Sequence, residues 1–127
     1  MPYKLKTGVK MFKFLLLLLV SCPVMADEWT TADTYREATY LAIDSMDWAQ
    51  TREIAHDPQK YREQNGFLGD HPSVQRVDAY FVSAALVHYA IARMLPSDYR
   101  AGFQYVTIGI ELGWVQHNAH MGLGMRF

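Results

Sequence analysis

The stretch that decides how this chain folds is residues 98–118, Asp98-Tyr99-Arg100-Ala101-Gly102-Phe103-Gln104-Tyr105-Val106-Thr107-Ile108-Gly109-Ile110-Glu111-Leu112-Gly113-Trp114-Val115-Gln116-His117-Asn118. At about 100° per residue, Gln104, Thr107, Glu111 and Asn118 fall within about 40° of Arg100, and Gly102, Val106, Gly109 and Gly113 fall opposite. Such a stripe predicts a helix. In water the ordinary orientation is a solvated polar stripe behind a close-packed face, with Gly109-x-x-x-Gly113 letting two backbones touch. A sharper alternative turns the stripe inward and gives Glu111, with Asn118, a buried polar contact on another helix. A buried carboxylate requires such a partner, and a bundle surrounded by lipid favours this orientation.

Two further long helices are expected upstream. The first runs from about Thr31 to Ala55, with Thr34-Tyr35-Arg36-Glu37 as a capping box and Thr30 or Thr31 as rival caps. Tyr35, Ala38, Ala42, Met46 and Ala49 share one face, read as the packing face; Asp33, Glu37, Asp44, Asp47 and Thr51 share the other. Asp57-Pro58 then opens a short connecting helix that Asn65-Gly66 ends. Pro72-Ser73 starts the second long helix, which Pro96 stops near Leu95, and Ser97-Asp98 caps the third. Residues 79–92 contain no Asp, Glu, Lys or Arg, yet that run is shorter than the roughly 18 residues of a membrane span.

The charge distribution divides the chain. Lys4, Lys6, Lys10 and Lys13 precede every acidic residue, and residues 27–127 hold 8 basic and 13 acidic residues, a formal charge of −5. Residues 1–26 combine this basic start with the apolar run Phe14 to Val20 and a small-residue exit at Ala26, the layout of a secretory signal peptide. Met1 and Met11 are both suitable starts. Val24-x-Ala26 fits ordinary cleavage before Asp27, whereas Leu19-Val20-Ser21-Cys22 resembles a lipobox, which would end the signal before Cys22 and lipidate it. The 13 uncharged residues to Ala26 fall short of the roughly 20 needed for a bilayer-spanning helix, which favours a cleaved signal over an uncleaved anchor.

Composition excludes several classes. A length of 127 residues allows one domain. One cysteine makes no intramolecular disulfide, and a net charge of −1 gives no basic surface for nucleic acid. No P-loop, dinucleotide fingerprint or nucleophile elbow is present, and no cofactor is expected. Asp44 and Asp47, three residues apart, are candidates for hard-cation ligands or an acid–base pair, with Glu63, Asp70 or Asp78 to complete them. Glu111 joins this set. His117 and His120 share a helical face suited to a metal, without a His-Glu-x-x-His motif. His88, among Phe81, Ala84 and Ile91, is expected to be a packed histidine with one hydrogen-bond partner.

Asp47-Trp48-Ala49-Gln50-Thr51-Arg52-Glu53-Ile54-Ala55, Tyr61-Arg62-Glu63-Gln64-Asn65, Leu68-Gly69-Asp70-His71-Pro72-Ser73 and Gln104-Tyr105-Val106-Thr107-Ile108-Gly109-Ile110-Glu111 together resemble short exported proteins of bacteriophages and prophages of Gram-negative bacteria. The likeness spans nearly all of residues 27–127. Where that group often reads Asn-Pro, this chain has Asn65-Gly66. The resemblance carries over no catalytic or binding residue. It implies a phage-type origin and, by analogy alone, action at the host envelope in lysis or in exclusion of competing phages.

The expectation is therefore an all-α protein: a signal segment, then a single domain, 27–127, of three long helices and a short connecting helix. Its expected role is non-catalytic and envelope-associated, in the periplasm or at a membrane, with a bacterial membrane or envelope protein as partner and helix-mediated self-association open. The alternatives are a small metal-dependent enzyme using the acidic and histidine residues above, and a membrane-embedded helical protein.

Overall fold

The computed structural model describes residues 27–127; the expected signal segment and Cys22 lie outside the described residues. Three helices carry the fold: α1 (Thr31–His56), α2 (Val74–Met94) and α3 (Ser97–His120). No strand occurs among the described residues.

Local chemistry sets the helix ends. Thr30, rather than Thr34, caps α1: its hydroxyl accepts from the Asp33 N–H at 3.1 Å, and the Asp33 carboxylate accepts from the Thr30 N–H at 2.8 Å. Ser73 caps α2 by accepting from the Arg76 N–H. Pro96 ends α2 because proline disfavours helical geometry at the residue before it, and Leu95 is extended. The expected Ser97 cap does not form. Pro96 is the N-cap of α3, Ser97 is the first helical residue, and the Asp27 carboxylate, from the segment before α1, accepts the Ser97 N–H at 2.8 Å. At the far end Gly122, at φ 82°, turns the chain out of α3 so that Leu123 N–H reaches the Asn118 carbonyl. The tail then lies back on α1, with Arg126 N–H donating to the Ala49 carbonyl and its guanidinium to Glu53.

The connecting helix is absent. Asp57–Tyr61 forms one turn, with Lys60 and Tyr61 N–H on the Asp57 carbonyl. Glu63 then bends its carboxylate onto the N–H groups of Gln64 and Asn65, while its own N–H bonds the Asp70 carbonyl. These bonds take the donors that a helix would use, and a single turn has too few bonds of its own to propagate.

Pairings between helices fix the topology. Asp33 meets Arg100, Glu37 meets Gln104 and Asp47 meets Asn118, so α1 and α3 are parallel. Glu37 meets His88, and Trp48 and Arg52 meet Asp78, so α2 runs antiparallel to both. The outer helices pack chiefly on α1 and only sparsely on each other. A small apolar core of Leu68, Val77 and Phe81, flanked by Trp48, Ala55 and Tyr80, closes the loop end.

The faces are inverted relative to the ordinary expectation. Arg100, Gln104 and Asn118 of the polar stripe are buried, while Gly102, Val106, Gly109 and Gly113 are exposed. A Cβ built on any of those three glycines meets nothing within 4 Å, so no backbone rests on them. On α1, Asp33, Glu37, Asp44 and Thr51 are buried and Tyr35, Ala38 and Ala42 are exposed, while Ala49 of the expected packing face is buried as expected and Met46 is half-buried. Nine buried polar residues match nine buried apolar ones among the described residues. Charged groups almost never occupy an interior unless paired, so the physical question becomes how each is satisfied.

Candidate functional site

Two polar regions lie along α1, and they differ in how fully they are satisfied. The first surrounds Arg100, which is 0% exposed. Its guanidinium donates to Asp33 Oδ2 at 2.9 Å and to the carbonyls of Ala92, Leu95, Asp27 and Glu28. It therefore ties the start of α1 to the end of α2, where the helix dipole also favours a cation. Burial opposes the Asp33 charge, but hydrogen bonds from Thr30, Arg100 and Arg36 outweigh it and hold the carboxyl down to about 2.

The same network continues one turn along. Gln104 Nε2 donates to Glu37 Oε2 at 2.9 Å and its Oε1 accepts from Arg36. Glu37 Oε1 pairs with His88 Nδ1 at 2.9 Å, and His88 Nε2 pairs with Thr107 Oγ1 at 2.8 Å. The imidazole lies between the rings of Tyr40 and Phe103, with centroids 3.5 and 4.6 Å away. His88 is thus packed as expected, but with two polar partners. Both its ring nitrogens are occupied, which makes this region a structural clasp.

The second region is open. Beyond His88 the outer helices part over α1 and leave a cavity of about 560 Å³. Asp44, Asp47 and Thr51 of α1 form its floor; Tyr80 and Phe81 of α2 face Glu111 and Trp114 of α3 across it, and residues 62–68 cover one end. Asn118 Nδ2 donates to Asp47 Oδ1 at 2.7 Å. Glu111 has no such partner: its Oε2 is wholly buried and accepts nothing, and the same is true of Glu63 Oε2.

These carboxyls resist ionisation together. Burial first, and then the Asp47 charge, push Asp44 up to about 6, with the Tyr40 hydroxyl partly offsetting them. Asp47 is pushed up to about 7 by burial and by Glu111 and Glu63, against the hydrogen bond from Asn118. Burial and Asp44 raise Glu111 to about 7. The cavity therefore holds protons that exchange near neutrality, and a cation placed there would convert it to an anionic site.

Asp44, Asp47, Glu111 and His117 from the sequence-based set all line this one cavity. His120 does not; its Nδ1 turns to the Gln116 carbonyl at 2.8 Å on the exposed end of α3. Of the proposed completing residues only Glu63 lines it. Asp78 is held by Trp48 and Arg52, and Asp70 faces Arg62. Among the described residues no group of three or more His, Cys, Asp or Glu side chains is placed to hold a metal ion. Sequence reasoning missed the aromatic wall of Tyr80, Phe81 and Trp114 and the clasp around Arg100. A lone Arg or Glu inside a long uncharged helix was the available signal. Comparison with protein-family models, curated proteins and solved structures returns no match.

Proposed function

We propose that the chain is a non-catalytic, envelope-associated helical protein that rests against lipid through the outer faces of α2 and α3. One observation carries this reading. Between residues 79 and 92 of α2, and between 101 and 119 of α3, no Asp, Glu, Lys or Arg side chain is exposed, while Val82, Leu86, Val87, Val106, Ile110 and Leu112 all are. Monomers in water rarely present so continuous an apolar surface. The charge that these helices do carry is turned inward or placed at their ends, as at Arg76, Arg93 and Asp98. Tyr105, exposed on α3, suits the interfacial layer of a membrane.

Among the described residues no helix is long and apolar enough to cross a membrane. Contact with lipid is therefore assigned to faces, and the average hydropathy of a helix does not measure a face. The expected export signal and the resemblance to phage-borne exported proteins support an envelope location and action there.

Vesicle flotation tests the reading. The purified chain is expected to float with lipid vesicles and to keep doing so in 1 M salt (roughly a 3 Å screening length), because apolar contact is not screened. Leu86→Lys combined with Ile110→Lys is expected to leave it in the aqueous fraction. A wild-type chain that stays monomeric in water and does not float would overturn the proposal.

A further inference from the structure

We propose that the cavity between α2 and α3 binds a cationic amine, an ammonium head carried on an apolar body. The inference does not depend on lipid contact, because α1, α2 and α3 build the cavity whatever covers their outer faces. Its volume of about 560 Å³ lies within the range of small-molecule sites. Its lining is divided. Asp44, Asp47 and Glu111 present carboxyls on the α1 and α3 sides, and Tyr80, Phe81 and Trp114 present aromatic surface around them. Carboxylates beside aromatic faces are the combination that recognises an ammonium, through charge and through the ring quadrupole.

The site also contains unmet acceptors. Glu111 Oε2 and Glu63 Oε2 are wholly buried without a hydrogen-bond partner, though each residue lines the cavity. Asp44 is 4% exposed and has only the Tyr40 hydroxyl beside it as a donor. Both oxygens are closed to water in the ligand-free fold, so an N–H-rich ligand reaches them only when the two glutamate side chains turn into the cavity, a rotation that would recover the free energy their isolation costs. A bare metal ion fits less well, since the acidic side chains are not grouped to coordinate one. Of the basic side chains lining the cavity, Arg62 is largely exposed and lies 3.6 Å from Asp70, and His117 is exposed near the end of α3, edge-on to Trp114.

Binding is coupled to protons. The groups facing the ligand are Asp44 and Asp47 from α1, Tyr80 from α2, Glu111 and His117 from α3, and Arg62 and Glu63 from the connection. The ammonium favours the ionised carboxylates, so its entry releases protons and affinity rises as pH climbs through about 6 and 7. The ammonium has two possible sources, a free amine or an amine-bearing lipid headgroup.

Calorimetric titration of the purified full chain with octylammonium chloride tests the proposal, with octanol and octyl sulfate as controls. Saturable binding at pH 8 is expected, at least tenfold tighter than for octanol and weaker at pH 5, with proton release that varies with the buffer. Glu111→Gln and Asp47→Asn are each expected to weaken it about tenfold, and Trp114→Leu, at a half-exposed position the fold tolerates, supplies a second probe of the same wall. Displacement by phosphatidylethanolamine vesicles but not phosphatidylglycerol vesicles would assign the amine to lipid; no displacement would assign it to a free amine. Equal affinity for octanol, absence of saturable binding, or unchanged affinity in folded variants would overturn the proposal.

Discussion

Replacing Arg100 with methionine tests whether the polar stripe of α3 is truly the inside of this protein. The side chain is 0% exposed and its bonds to Asp33 and to the Ala92 carbonyl are buried; the bonds to Asp27, Glu28 and Leu95 lie nearer the surface. Water can replace the outer donors, but Asp33, although it keeps Thr30 and Arg36, would lose its fully buried cation. Breaking a buried pair by removing one partner costs about 3–5 kcal/mol, and the bonds that Asp33 keeps place this case at the low end. Against a total stability of about 5–15 kcal/mol this is a large fraction, and for a domain of this size it lowers Tm by roughly 10–25 °C. Urea unfolding of Arg100→Met followed by circular dichroism measures it. The acid limb gives a second reading. With its carboxyl held down to about 2, Asp33 stabilises the fold fully above its ordinary 3.8, and that contribution is lost as pH falls through about 2. Without Arg100 the folded carboxyl moves back toward its ordinary value, so this loss should be smaller and complete at higher pH. A cooperative transition within about 1 kcal/mol of wild type would refute the reasoning and return the stripe to solvent.

The opposite face of α3 predicts the opposite result. Gly109→Ala adds a Cβ that meets nothing within 4 Å, so removal of glycine's excess freedom should raise stability by about 0.5–1 kcal/mol in the same urea assay; a marked loss would show that something packs there. The cavity carboxyls give a pH dependence of reversed sign. Asp44, Asp47 and Glu111 have raised pKa values in the fold, so their contribution is present below about 4 and lost as pH rises through about 6 and 7. Asp47→Asn and Glu111→Gln should therefore flatten the fall in Tm between pH 5 and pH 8, and a slope identical to wild type would exclude these groups as its source. Gly122→Ala should lower stability by about 1 kcal/mol or more, because an L side chain is strained at φ 82°.

Much of the architecture was legible in residues alone. Thr30, Ser73 and Pro96 mark helix ends through hydrogen bonding and backbone restriction, so the helices fall within a few residues of the expected positions. Periodicity separated the stripe of Arg100, Gln104, Thr107, Glu111 and Asn118 from the glycine face, but periodicity reports two faces without saying which lies inside. That assignment depends on the surrounding medium and on whether each polar group finds a partner. Arg100 requires Asp33 and four carbonyls from three separate segments, a match that no spacing within α3 reveals. The same limit hid the cavity: Asp44, Asp47 and Glu111 were each visible as unusual, yet the aromatic wall beside them joins Tyr80 and Phe81 of α2 to Trp114 of α3, a meeting set by how both helices register on α1. The connecting helix failed for a local reason, because Glu63 bonded its own neighbours' N–H groups.

Spin labels placed along α3 test the central claim most directly. Val106→Cys, Ile110→Cys and Gln104→Cys would each carry a nitroxide in the presence of phospholipid vesicles, and collision rates with oxygen and with a water-soluble nickel complex would be compared. If the exposed residues Val106 and Ile110 rest against lipid as proposed, they show high oxygen and low nickel access, and Gln104, which is buried, shows low access to both. High nickel access at Val106 and Ile110 would contradict it, by showing that this apolar face meets water.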